Sequence, residues 1–462
     1  MRKHNRKVVR NIALFVCAVL CLGALIAYVS VARKPVLIMP PETPEELAMR
    51  SSPDNAYFTL EEAEKLLPKA PDPMSAGTPE YPNLIYSWEP DSLGEALQIR
   101  RPDDDPEFVA YIDACGPAIE KIREAFNKPY YREPIQWSDF EVQQGALWET
   151  RQPRETQLFQ LGMALVARGV QTQRISGDDA AAAACFMDAI RLGAMLMTDG
   201  PDNWSGSRLQ TLAMWRFDGW ARAVKSAAAL SPVLNQFREL ERGLKPPVAA
   251  LEYRWRVMDN TREIRTQNMS GPEHFVGNAV LRWHLAAARR LVIRHRDEFR
   301  AAVAMDFPEY RTWRPNQAEL TEGHLGDSIL GGRPIDYVDS ILLTHTTIRA
   351  AYNGAVILLA LELYHRDKNE YPETLDSLVP KYLEQLPKDP YTGGPFTYRR
   401  DADDYRLYSL GPNGQDDEAE GRRGDDYAVH PRPKPEQLPN ASQSRQSVGR
   451  RVRVENPPAA RP

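Results

Sequence analysis

The sequence predicts a mainly α-helical protein with an N-terminal transmembrane helix, an α-helical array or bundle, and a small C-terminal α+β module. In that module one long helix packs on a short antiparallel sheet. Three observations carry the prediction. A charge-free apolar run over residues 12–32 follows a basic segment. Apolar residues recur at spacings of three and four through much of residues 107–335. Residues 371–429 then switch to turn formers, aromatics and period-two alternation. At 462 residues the chain is long enough for two domains plus linkers, each with its own core.

Residues 1–10 carry Arg2, Lys3, Arg6, Lys7 and Arg10 with no acid, and read as a cytoplasmic basic segment. Residues 11–32 read as the transmembrane helix, because a charge-free run of 21 residues rises about 30 Å, the thickness of the hydrocarbon core. The run exceeds a signal-peptide apolar region of about 7–15 residues. Tyr28, Val29 and Val31 form no small-x-small cleavage site, and neither Cys17 nor Cys21 stands in a lipoprotein cleavage pattern. The expectation is an uncleaved single-pass anchor in the cell inner membrane. The basic N-terminus stays in the cytoplasm and everything after Arg33 lies outside. A net charge of −5 gives no bulk attraction for nucleic acid.

Residues 33–106 hold 13 of the 38 prolines from Pro35 onward and read as a partly extended stalk. Thr59 and Glu62 form a candidate capping box ahead of "AEKLL". Residues 107–335 form the α-helical domain, with Gly or Pro separating its segments. Within it, residues 152–198 read as a helix hairpin turning at "RISGDD", with Ala180–Ala184 allowing close approach. The hairpin resembles one tetratricopeptide-type unit, although no fixed 34-residue period recurs. Cys115 and Cys185 fit either an envelope disulfide or two buried thiols in helices. His284 and His295 share a helical face, but H-E-x-x-H is absent; with Arg289, Arg290, Arg294 and Arg296 the face reads as solvated and basic. No G-x-S-x-G, phosphate loop or G-x-G-x-x-G appears, and the nine tryptophans read as core and hairpin anchors. No catalytic constellation emerges.

Residues 336–430 form the C-terminal module. Ile348, Tyr352, Ala355, Leu359 and Leu363 make an apolar stripe on one long helix that Pro372 stops. "FTYRR" and "YRLYSL" then alternate inward and outward around "DADD", which predicts a hairpin. Residues 431–462 hold seven prolines, seven bases and two acids, and are expected to be a disordered tail.

The order "YPETLDSLVPKYLEQLPKDPYTGGPFTY", "YSLGPNG" and Asp425–Asp426 resembles the globular end of the major pseudopilin of type II secretion (type II secretion protein G-like) over about 90 of the 462 residues. The whole chain is similar to a family of membrane-anchored bacterial proteins that carry such a module behind a helical region. The resemblance implies a loop that wraps calcium. Leu410 would offer a backbone carbonyl, Asn413 stands where the family has its first aspartate, and Asp425 and Asp426 match the closing pair. Asp416 and Asp417 are further candidate ligands, since calcium takes about 6–8 oxygens. The N-terminus lacks the pseudopilin's cleaved segment, and roughly 300 residues separate anchor from module, so pilus polymerisation is not expected. Three functions follow as expectations. The first is a membrane-anchored extracytoplasmic scaffold binding a protein partner. The second is an accessory component of a type II secretion or pilus-like machine. The third is an envelope hydrolase using carboxylates in a helical cleft.

Overall fold

A computed structural model describes residues 37–68, 106–134, 141–143, 153–198, 203–224, 226–260, 263–265, 285–314, 333–401, 403–417 and 426–430. The expected cytoplasmic segment, the expected transmembrane helix, His284, Asp425 and the tail all lie outside these residues. Among the described residues, no helix is long and apolar enough to cross a membrane. Those residues are mainly helical, with a small three-stranded antiparallel sheet.

The segment read as a stalk is, over residues 37–68, part of the folded body. Helix α1 (Pro44–Ser51) starts at a true capping box: Thr43 Oγ1 accepts from Glu46 N at 3.2 Å and Glu46 Oε2 accepts from Thr43 N at 2.8 Å. Helix α2 (Ala56–Lys65) begins before Thr59, so the expected box at Thr59 is displaced. Asn55 caps it instead, accepting from Tyr57 N at 3.1 Å, and Thr59 is buried within the helix. The sequence signal at Thr59 loses because Asn55 also accepts from Arg132 N at 2.9 Å, which fixes the entry from outside the helix. Ahead of both helices, Asp259 accepts from Ile38 N at 2.9 Å and Met39 N at 2.9 Å and pins the chain to the body.

Helices α3 (Pro106–Ala114), α4 (Gly116–Ala125), α5 (Pro153–Gln171), α6 (Asp179–Leu196), α7 (Asn203–Ala223), α8 (Ala227–Gly243) and α9 (Val248–Asn260) build the helical layer. A π-turn at Thr172–Ser176 ends α5, and Gly177, at φ 65°, lets Asp178 cap α6. The expected α5–α6 hairpin therefore forms. A Cβ on Gly193 of α6 would lie 2.5 Å from Gly206 O of α7, so these two backbones touch. A short parallel pair, β1 (Glu141–Gln143) with β2 (Glu263–Arg265), interrupts the helices. Residues 285–294 are helical, and α10 (Arg296–Val303) and α11 (Phe307–Trp313) follow. The expected solvated arginine face is only partial. Arg289 turns inward, 6% exposed, and donates to Met258 O.

Helix α12 (Pro334–Lys368) is the spine. Its 35 residues extend about 52 Å. Ile335, Val338, Ile341 and Leu342 join one apolar core with Ile38, α9 and α10. From Ile348 onward α12 joins a second core with α2, α4–α8 and the sheet. The expected one-sided stripe is instead buried on all sides from Ala350 to Glu362, because α7 and α8 pack where the sheet does not. Asn369, at φ 57°, ends the helix. The sheet has β3 (Thr397–Asp401), β4 (Asp404–Ser409) and β5 (Tyr427–His430) in that order, all antiparallel. The β3–β4 hairpin is the expected one. β5 is additional, and its Val429 occupies the space that a Cβ on Gly354 would need.

Candidate functional site

Three places concentrate polar chemistry. The first is the acidic loop. Asp389, fully buried, organises it: Oδ1 accepts from Tyr391 N at 2.9 Å and Ser409 Oγ at 2.8 Å, and Oδ2 from Leu410 N at 3.3 Å. Leu410 thus sits at the loop entrance, held by its amide. Gly411 and Gly414 turn the chain at positive φ. Asn413 Nδ2 donates to Asp417 Oδ2 at 3.1 Å, and Asp417 N donates to Asp426 Oδ2 at 3.0 Å. Of the four residues matched to the calcium loop, the structure therefore brings Asn413 and Asp426 together through Asp417. Asp425 lies outside the described residues. Asp416 points elsewhere, accepting from Arg399 at 2.7 Å and Tyr408 at 2.8 Å. No cluster of three or more metal-ligating acids, histidines or cysteines occurs among the described residues.

The second place joins the helical layer to the sheet. Glu362 of α12, 1% exposed, accepts from Tyr371 Oη at 3.0 Å and from Arg366 Nη1 at 2.7 Å. Arg366 also donates to Val224 O at 3.1 Å and Ala221 O at 3.0 Å, satisfying carbonyls at the end of α7. Beside them His430 of β5, 2% exposed, places Nδ1 3.0 Å from Asp218 of α7 and Nε2 3.0 Å from Asp404 of β4. Arg222 Nη1 approaches Nε2 at 3.3 Å. Burial alone would lower the His430 pKa; hydrogen bonds to Asp218 and Asp404 outweigh it and raise the value above 6.5. Tyr405, fully buried, contacts the imidazole ring at 4.6 Å, and its phenol is held far above the usual range by desolvation. His430, Glu362 and Tyr405 are all buried in the seam between the layers. The sequence carried no local signal for them, since Asp218 and His430 are 212 residues apart.

The third place is a groove of about 800 Å³ between α4 and α6, lined also by Arg168 of α5 and by Thr172 and Ser176 of the π-turn. It exists because α4 packs on α2 while α6 packs on α5 and α7. Ala181, Ala184, Cys185, Asp188 and Arg191 face it from one stripe of α6, at spacings of three and four. Arg123 of α4 crosses it, donating to Asp188 Oδ2 at 2.8 Å and to Glu120 Oε1 at 2.7 Å. Desolvation raises the Asp188 pKa against the pull of Arg123. Arg168 pairs with Asp113. Arg191 is exposed and stacks its guanidinium 4.9 Å from the Phe126 ring centroid. Cys115 and Cys185 are both buried free thiols, so the disulfide alternative is not realised. Burial raises the Cys115 pKa to about 11 and also raises that of Cys185.

In comparisons with known proteins, the chain matches no family model, no curated protein and no solved structure.

Proposed function

We propose that this chain is a membrane-anchored extracytoplasmic scaffold of the bacterial inner membrane, held by residues 11–32 with its N-terminus in the cytoplasm. Its helical layer docks a protein partner in the α4–α6 groove, and the pseudopilin-like module buttresses that layer through α12. The groove carries the reading: its volume of about 800 Å³, lined by both charged and apolar side chains, lies within the usual size range of binding sites. The buried acids work against a hydrolase. Asp188, Asp259, Glu362 and Asp389 all accept hydrogen bonds that close the fold. A protonated acid and a free base facing one cavity are what hydrolysis by paired carboxylates requires.

A second reading, an accessory role in a type II secretion or pilus-like machine, draws on one specific observation. A long helix is followed by a three-stranded antiparallel sheet whose entry loop Asp389 closes. On either reading, Leu410, Asn413, Asp425 and Asp426 would hold calcium, which would bridge carboxylates that otherwise repel.

Affinity purification of the detergent-solubilised full chain tests the proposal. A stoichiometric extracytoplasmic protein supports the scaffold, pseudopilins or their membrane platform support the second reading, and an empty eluate overturns both. Protease added to spheroplasts should remove everything after Arg33, while the protein stays with membranes at high salt. Recovery of the intact chain in the soluble fraction would overturn the anchor.

A further inference from the structure

The groove's own chemistry narrows what it holds. Three guanidinium groups line it, those of Arg123, Arg168 and Arg191, against two carboxylates, those of Glu120 and Asp188. Both carboxylates are engaged by Arg123, which fixes that side chain as a strut across the floor. Arg168 is engaged from outside by Asp113. Arg191 differs. It forms no ion pair among the described residues, and it is exposed while its guanidinium sits over the Phe126 ring. A guanidinium stacked on an aromatic face keeps its N–H fork planar and preset for two parallel bonds to a carboxylate.

The remaining surface suits a peptide. Gly116, Ala181 and Ala184 present little side chain, and a Cβ on Gly116 would meet nothing within 4 Å. A backbone can therefore approach the floor closely. Ile119 and Phe126 supply apolar contact on the α4 side. The π-turn, whose Thr172 and Ser176 line the groove, follows the last turn of α5, a distortion frequent at functional positions.

We propose that the α4–α6 groove binds an acidic peptide segment of a partner protein, with Arg191 as the residue that reads its carboxylate. This rests on the scaffold reading for its biological setting but on the groove alone for its chemistry. The peptide lies along the α6 stripe, and one of its Asp or Glu side chains receives both Arg191 N–H groups.

The test uses the full chain in detergent and fluorescence anisotropy with an alternating Glu–Gly octapeptide, compared with a Gln–Gly octapeptide of equal length. The acidic peptide should bind about tenfold or more tightly than the neutral one, the difference expected when a charge-assisted bidentate pair is lost. Its affinity should fall as salt rises. Arg191→Gln should weaken it by about tenfold. Arg191→Lys should restore only part, because an ammonium lacks the fork. Arg242→Gln removes an exposed arginine on α8, away from the groove, and should leave binding unchanged. Equal binding of the two peptides overturns the proposal. So does an equal response to Arg191→Gln and Arg242→Gln, which would mark general charge attraction. Partner capture from membranes separates the two levels. Capture unaffected by Arg191→Gln keeps the scaffold and overturns this inference. Arg191-dependent peptide binding without any captured partner does the reverse.

Discussion

Replacing His430 by Gln should loosen the sheet from the helical layer in a pH-dependent way. The imidazole is 2% exposed and joins Asp218 on α7 to Asp404 on β4, each at 3.0 Å. Only the imidazolium donates from both nitrogens at once, so both contacts are made in the charged form. Each charge-assisted hydrogen bond contributes about 1.5–3 kcal/mol. The Asp404 side chain is 45% exposed and regains water when released, so its bond sits at or below the lower end of that range. Asp218 is 13% exposed and is left facing a neutral amide, which makes its loss the larger one. Together the substitution should cost about 2–4 kcal/mol. An unfolding entropy of about 2.1 cal/mol/K per residue over roughly 300 residues turns this into about 3–6 °C in Tm. The pKa of His430 is raised in the fold, so its contribution is complete below the unfolded value of 6.5 and disappears as pH rises through the higher folded value. Arg222, Tyr371 and Tyr405 also face the seam but stay in one protonation state across that window, and Asp404, with its pKa lowered, stays ionised. Urea melts of wild type and His430→Gln at pH 5.5, 7 and 8.5 should therefore differ most at pH 5.5 and converge towards pH 8.5. Curves that coincide at every pH, or a wild-type advantage that grows with pH, would refute the reasoning.

Two further outcomes follow from the backbone crossing and the loop. Gly193→Ala should cost about 1–3 kcal/mol, because its Cβ would meet Gly206 O at 2.5 Å, and overpacking exceeds the gain in helix propensity. Gly219→Ala, also in a helix but with nothing within 4 Å, should stabilise by up to about 1 kcal/mol, and equal effects in thermal melts would refute the contact. Millimolar calcium should raise the Tm of the intact protein modestly, since calcium at about one to ten times a Kd of 10⁻⁴–10⁻³ M contributes only about 0.4–1.4 kcal/mol. Asp425→Ala with Asp426→Ala should abolish that shift. Asp416→Ala should leave most of it, because Asp416 is committed to Arg399 and Tyr408; a melt indifferent to calcium, chelator and the double substitution would leave the loop as solvated surface.

Local chemistry made much of the fold legible. The three-and-four spacing found the helices, Pro372 placed the end of α12 to within four residues although Asn369 makes the cap, and "DADD" between aromatic runs found the β3–β4 hairpin. β5 escaped because "YAVH" is four residues long and pairs only through a partner strand. The second buried face of α12 escaped because a stripe describes one neighbour, whereas α7 and α8 supply another from far away in sequence. The groove and the His430 seam share that limit. Arg123 and Asp188 are 65 residues apart, and no period links them. Asn413 was visible beforehand because a resemblance aligned it; Asp417, which joins it to Asp426, was visible only as one of several acids.

The position of α12 in the chain has a bearing on synthesis. Both apolar cores wait for it: one needs Ile335–Leu342, the other needs Ile348–Leu361. A ribosome delivering residues at about 5–20 per second must therefore release most of the helical layer before either core can close. During that interval the faces of α7 and α8 that pack on α12 stay uncovered, among them Phe237, whose ring lies 6.0 Å from that of Tyr352 in the finished fold. Such a nascent chain presents an open apolar face suited to a holding chaperone, and that face is covered only once residue 361 has emerged.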